Sequence, residues 1–318
     1  MMDYKPAKIN GVSFVASRDS ISNKHIKPVV SLNANYVAVM PFGFIKELQH
    51  PEIVYNTGRQ WFGETNDGVK QYIDEFNKEG LSVMLKPQIW VWRGEYTGNI
   101  KMDSEENWSS LETSYSKFIL DYAQLAQEMK VEILCIGTEL EQFIVHRPQF
   151  WKDLIGKIRS VYDGKLTYAA NWDEFKSVPF WSQLDYIGVD AYFPISNSQT
   201  PTVEECLEGW LEHKVIIEML SEQYSKPVLF TEFGYRSVDF SGKKPWDYDR
   251  NNQVANLEAQ VNTTQALFET FWQEDWFAGG FVWKWFHDHE KSGGETNNQF
   301  TPQNKPVELL IQKQYKTF

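Results

Sequence analysis

The sequence predicts an α/β protein, a single (β/α)8 TIM barrel occupying residues 1–318, and three observations carry that expectation. Eight short β-rich runs alternate with stretches of helical periodicity from one end of the chain to the other. The runs are nearly continuous in apolar character, as strands buried on both faces of a parallel sheet must be. No G-x-G-x-x-G or G-x-x-x-x-G-K-[ST] turn occurs, which argues against a doubly wound sheet, the other architecture with this rhythm. No low-complexity segment, internal repeat or Pro/Gly-rich linker divides the 318 residues.

Taken in order, the first strand is expected at 11–16, running into Ser17-Arg18-Asp19, and the second at 36–40, running into Pro41-Phe42-Gly43. Val69, Tyr72, Ile73 and Phe76 then share one helical face, and Gly80 is the expected C-terminal stop. The third strand, 81–86, leads into Lys86-Pro87-Gln88 and on to Trp90, Trp92 and Arg93. A longer apolar stripe from Tyr115 through Phe118, Ile119, Tyr122, Leu125 and Ala126 to Met129 precedes the fourth strand, 133–138, which ends in Gly137-Thr138-Glu139. The fifth, 166–170, gives Asn171-Trp172-Asp173, and the sixth, 186–190, gives Asp190-Ala191-Tyr192. Thr202 and Glu205 have capping-box spacing at the head of the next helix. The seventh strand, 228–231, is followed by Glu232-Phe233-Gly234-Tyr235, and the eighth, 280–285, ends in Trp283-Lys284-Trp285. Carboxylates, tryptophans and amides thus gather at the strand ends, where a barrel builds its active site.

Composition narrows the function classes. Asp and Glu outnumber Lys and Arg by 43 to 31, a formal charge of −12, so the phosphate attraction of a nucleic-acid binder is not expected. No uninterrupted apolar run is long enough to span a bilayer. Two cysteines, Cys135 and Cys206, make neither a disulfide framework nor a zinc ribbon. The opening Met1-Met2-Asp3-Tyr4-Lys5-Pro6 lacks the basic and apolar regions of a signal peptide. The chain as it stands is therefore expected in the cytoplasm, or in the periplasm or outside the cell if a signal has been removed. The 13 Trp, 15 Tyr and 21 Phe supply core volume. Several stand among polar residues, where a flat ring with a polar rim suits a sugar.

Glu139 and Glu232 carry the chemistry. Each ends a strongly apolar strand, where a carboxylate is costly to desolvate unless partnered. A barrel-mouth salt bridge or a helix cap would also account for either one. The pair together has the composition of a glycosidase centre, in which one carboxylic acid protonates the departing oxygen while the other carboxylate meets the anomeric carbon. Tyr192 can donate to Glu232 or satisfy a backbone group; Arg93 can bind hydroxyls or close its loop with Asp103 or Glu95. One of Trp283 and Trp285 is expected to face inward as the floor of the sugar site, and Asn171 and Trp172 are candidate sugar contacts. The run His287-Asp288-His289-Glu290 superficially resembles a metal site, but neighbours in a loop do not usually converge on one ion, and no metal or organic cofactor is expected.

Gly137-Thr138-Glu139-Leu140 and Thr231-Glu232-Phe233-Gly234-Tyr235, with Lys86-Pro87, Trp92-Arg93-Gly94 and Gly11-Val12-Ser13, resemble glycoside hydrolase family 113 over nearly the whole chain. The family belongs to the clan of retaining barrel glycosidases and its characterised members are mainly β-mannanases. The resemblance implies Glu139 as acid/base and Glu232 as nucleophile, and extends the substrate-binding set to Lys86, Gln88, Trp92 and Arg93. Thr138 stands where most of the clan has Asn, a change that family 113 shares, and Gln88 departs from the pattern where His would follow Lys86-Pro87. The expectation is a retaining endo-β-1,4-mannanase acting on a β-linked, mannan-type oligo- or polysaccharide. An exo-acting β-mannosidase, another β-glycanase, and a non-catalytic carbohydrate-binding barrel are the alternatives.

Overall fold

A computed structural model describes residues 7–247 and 254–318, so the N-terminal hexapeptide read above for targeting lies outside the described residues. Eight parallel strands close into a barrel: β1 (Ile9–Phe14), β2 (Tyr36–Val39), β4 (Ser82–Leu85), β6 (Ile133–Thr138), β7 (Lys165–Asn171), β8 (Ile187–Asp190), β9 (Val228–Phe233) and β10 (Phe277–Trp285). All eight expected runs are strands of this barrel. Two strands were not anticipated. β3 (Phe42–Ile45) and β5 (Gln88–Val91) pair with each other in a separate parallel sheet. They continue β2 and β4 beyond Pro41 and Pro87, whose missing N–H groups interrupt the ladder. The Lys86 and Gln88 amides bridge the gap by donating to the carbonyls of Val39 (2.8 Å) and Pro41 (2.9 Å).

The helices form the outer ring: α1 (Asn23–Ser31), α2 (Asn66–Lys78), α3 (Glu105–Glu128), α4 (Glu141–His146), α5 (Pro148–Arg159), α6 (Val203–Tyr224), α7 (Leu257–Phe271) and α8 (Pro306–Thr317). Their ends follow local chemistry. Thr65 caps α2 by accepting from the Gly68 amide, and the expected stripe Val69, Tyr72, Ile73 and Phe76 is buried beneath it. Gly80 closes this helix with φ +77°, a left-handed conformation that glycine adopts without a Cβ penalty. The Thr202–Glu205 box forms as read, each side chain accepting from the other's amide. No described helix is long and apolar enough to cross a membrane.

Two shells of core result. Ile9, Ala38, Met40, Met84, Ile133, Cys135, Ala169, Leu229, Phe281 and Trp283 fill the barrel. Their strand neighbours, among them Val12, Val37, Val39, Leu134, Val189 and Phe230, pack outward under the helices. The last strand decides which of its two tryptophans faces inward. Simple alternation would put Trp283 and Trp285 on the same face. Instead Val12 and Phe14 of β1 oppose Val282 and Trp285 of β10, a bulge of one residue that changes the face. Trp283 therefore joins the barrel interior, while Trp285 is 0% exposed in the outer shell beside His289 and has no surface to offer a sugar.

Trp285→Ala is accordingly expected to act on stability. Emptying a fully buried indole site costs about 3–5 kcal/mol, readable as a lower denaturant midpoint with unchanged m. A variant of wild-type stability would show that this site is not closed.

Candidate active site

At the barrel mouth one cation is set among carboxylates. Lys86, directly after β4, is fully buried, with its Nζ 2.5 Å from Glu232 Oε1 and 3.2 Å from Asp190 Oδ1. Glu232 lies inside β9 and Asp190 closes β8, so two neighbouring strands converge on this ammonium. Gln88 Nε2 donates to Glu232 Oε1 (3.3 Å), and the Tyr192 hydroxyl donates to Oε2 (2.7 Å). Thr231 Oγ1 donates to Asp190 (2.7 Å). Lys86 and Gln88 were expected as sugar contacts. The structure corrects Lys86: with no exposed surface it cannot reach a sugar and serves as the counter-charge. Gln88 is also buried and holds Glu232.

Glu139 has a different environment. It follows β6 at φ +49°, a left-handed conformation uncommon for a residue with a side chain. Its amide donates to the Ala169 carbonyl (2.8 Å), and its carbonyl accepts from Thr97 Oγ1 (3.1 Å). Behind it the Leu140 amide donates to Tyr168 Oη (2.6 Å), and that hydroxyl donates to Glu174 (2.7 Å). The other Glu174 oxygen accepts from the Asn171 amide (3.0 Å). The backbone is thus pinned on both sides, whereas the half-buried carboxyl of Glu139 has no hydrogen-bond partner among the described residues.

The electrostatics follow this arrangement. Burial pushes the Glu139 carboxyl well above the usual range, and the negative charges of Asp190 and then Glu232 add to it. Desolvation therefore leads, and Asp190 contributes beside the expected partner Glu232. Burial lowers the affinity of Lys86 for its proton, but Asp190 and Glu232 outweigh that and hold the ammonium charged. Asp190 is pushed up to about 7 by burial and by Glu232, against Lys86 and Thr231. Glu174, desolvated under the loop, rises to about 8 despite its two donors. Lys284 is lowered by burial, with Glu232 opposing, and its Nζ lies 5.3 Å from the Trp283 ring centre.

The remaining candidates form the rim. Trp92 is 66% exposed. Arg93 is exposed at φ +68° and makes no ion pair among the described residues, so it does not close its loop onto Asp103 or Glu95. Asn171 Nδ2 donates to Tyr96 Oη (2.8 Å), and Trp172 stacks on Trp246 at 5.0 Å and 18°. The suspected metal run diverges: His289 pairs with Glu308, Asp288 with Lys291, and His287 meets the ring of His25. Sequence reasoning missed Asp190, Glu174, Tyr96 and Lys284. Asp190 carried the same signal as the two glutamates, an acid closing the wholly apolar run Ile187-Gly188-Val189, while the other three had none.

Comparison with known proteins bears on this geometry. No curated protein sequence matches the chain. Among solved structures, a β-mannanase of glycoside hydrolase family 113 from Alicyclobacillus acidocaldarius, held in complex with ManMIm, is similar at TM-score 0.83 and 24% identity, covering 98% of each chain. A further family 113 β-1,4-mannanase matches at 0.83 and 25%, covering 98% of this chain and all of that one. A β-glucuronidase from Ruminococcus gnavus shares the fold at 0.62 and 13%, with 93% of this chain covering 46% of that protein. The family model for glycoside hydrolase family 113 matches residues 15–305. With that match covering most of the chain, both glutamates included, the chain belongs to glycoside hydrolase family 113 and is a glycoside hydrolase.

Proposed function

We propose that the protein is a retaining endo-β-1,4-mannanase in which Glu232 is the nucleophile and Glu139 the acid/base. The observation that carries this reading is the contrast between the two carboxyls. Glu232 receives donors from Lys86, Gln88 and Tyr192, which engage both of its oxygens. Glu139 receives none among the described residues, and burial and two nearby carboxylates favour its protonated form. Such a difference in surroundings divides the roles of acid and nucleophile.

In the first step Glu139 gives its proton to the glycosidic oxygen as that bond breaks, and a Glu232 oxygen bonds to the anomeric carbon. The glycosyl ester removes the Glu232 charge. Lys86 is then less fully opposed, and the ionised form of Glu139 becomes easier to sustain. Glu139 takes a proton from water, whose oxygen displaces Glu232 from the opposite face, so two inversions give retention. Tyr192 and Lys86 stay on the nucleophile throughout as positioning groups. Action within a chain is supported by aromatics beyond two different barrel strands, Trp90 and Trp92 after β4 and Trp172, stacked on Trp246, after β7. Mannan preference is supported by the family 113 β-mannanases of the same fold.

A polysaccharide panel tests the substrate: β-mannan is expected to be cut to mixed oligosaccharides, with slower release from p-nitrophenyl β-mannoside. Monosaccharide as the sole first product would mean exo action instead. Glu139→Ala is expected to lower turnover of unactivated glycosides roughly 10²–10⁴-fold, while an aryl glycoside gives a burst and azide restores turnover as the β-azide. Formation of the α-azide by Glu139→Ala would reverse the two assignments.

The pH profile supplies a third check. Activity is expected to fall on the alkaline side as Glu139 loses its proton. Asp190→Asn removes one of the negative neighbours that raise Glu139, so its ionised form becomes easier and the alkaline loss should begin at lower pH. An alkaline limb that does not move in kcat/KM would disconnect Glu139 from the acid role.

A further inference from the structure

The two-stranded sheet β3/β5 has faces of opposite character. Ile89 and Val91 of β5, with Ile45 of β3, point back into the protein and are buried. The other face carries Phe42, Phe44, Gln88 and Trp90, with Phe42 opposite Gln88 and Phe44 opposite Trp90. Phe42 and Phe44 are half-buried, and Trp90 is 47% exposed. Trp90 meets Phe42 edge-on at 6.3 Å and 82°. An aromatic surface left open on a sheet whose reverse is fully packed marks a place where something apolar docks.

What docks is indicated by continuity along β5. Gln88 is on this face and touches Glu232. Trp90 stands two residues further on the same face, which advances about 6.6 Å along the strand, comparable with the step from one hexose to the next in a β-1,4-linked chain. Trp92 and Arg93, both exposed, extend the same edge, and Arg93, which makes no ion pair among the described residues, can donate to hydroxyls.

We propose that the Phe42–Phe44–Trp90 face is a distal subsite, holding a pyranose ring of the substrate one unit or more from the bond being cut. The proposal rests on the glycan-hydrolase reading above and adds a place where chain length is sensed. The ring's C–H face lies on the Trp90 indole and its hydroxyls reach toward the exposed Arg93. No bond changes here; the subsite supplies binding energy for longer chains alone.

The test compares Trp90→Ala and Trp90→Phe with wild type on manno-oligosaccharides from disaccharide to hexasaccharide and on p-nitrophenyl β-mannoside. The quotient of kcat/KM for the hexasaccharide over that for the aryl glycoside is expected to fall roughly tenfold in Trp90→Ala and less in Trp90→Phe. An unchanged quotient in both variants overturns the subsite. If wild type cuts no β-mannan but another β-glycan, the mannanase reading fails by itself, and the same chain-length series on that glycan decides the subsite. Thermal midpoints of the variants separate a lost contact from a lost fold, and Trp90→Phe, which retains an aromatic ring, keeps the comparison valid if Trp90→Ala is unstable.

Discussion

The buried ammonium of Lys86 is the constraint around which the mouth of the barrel is organised. Removing such a charge from water is very costly unless it is paired and hydrogen-bonded, and here it meets two carboxylates, Asp190 and Glu232. The dependence is mutual. Without Lys86, two acids from adjacent strands would face each other in a desolvated pocket. Breaking a buried pair by removing one partner commonly costs about 3–5 kcal/mol. This one contact ties the end of β4 to β8 and β9 and engages one oxygen of Glu232, while Tyr192 engages the other. Glu139, which makes no ion pair among the described residues, is raised by burial and by the charges of Asp190 and Glu232.

The loop behind Glu139 answers a different demand. A left-handed backbone at a residue with a side chain persists only where the surroundings over-determine it. Ala169, Thr97 and the Leu140–Tyr168–Glu174–Asn171 chain supply that determination. Tyr168 is itself packed between Trp151, Phe180 and Trp181 in the outer shell. Much of the aromatic load therefore does structural work, making the platform rigid on the outside so that a carboxyl can stay unpartnered on the inside.

Much of this was legible in the chain. Strands buried on both faces read as apolar runs whatever their neighbours, so the eight barrel strands declared themselves, and an acid straight after such a run marked Glu139 and Glu232. The same rule applied to Asp190, yet a sequence does not reveal that the end of β8 lies against Lys86; only closure of the barrel brings residues 104 positions apart within 3.2 Å. For the same reason Lys86 read as a sugar contact when it is a counter-charge. The split between Trp283 and Trp285 depends on a one-residue bulge set by the pairing of β1 with β10, which no local pattern records. The β3/β5 sheet was hidden because Pro41 and Pro87 read as the ends of strands, although the pairing resumes beyond them.

The site thus separates into two parts under different physical control. The charged centre is buried and held by several mutually dependent contacts, so any one of its residues is hard to change alone. The aromatic rim, Trp90, Trp92, Tyr96 and Trp246, is exposed on loops and on a short two-stranded extension. Its residues can change with little cost to folding, since each loses mainly its own partly exposed surface. A barrel divided in this way can keep its bond-cleaving chemistry while its preference for a particular glycan shifts. On the proposed reading the chemistry is specified by the strand ends and the choice of sugar chain by the rim, and it is at the rim that members of one fold are free to differ.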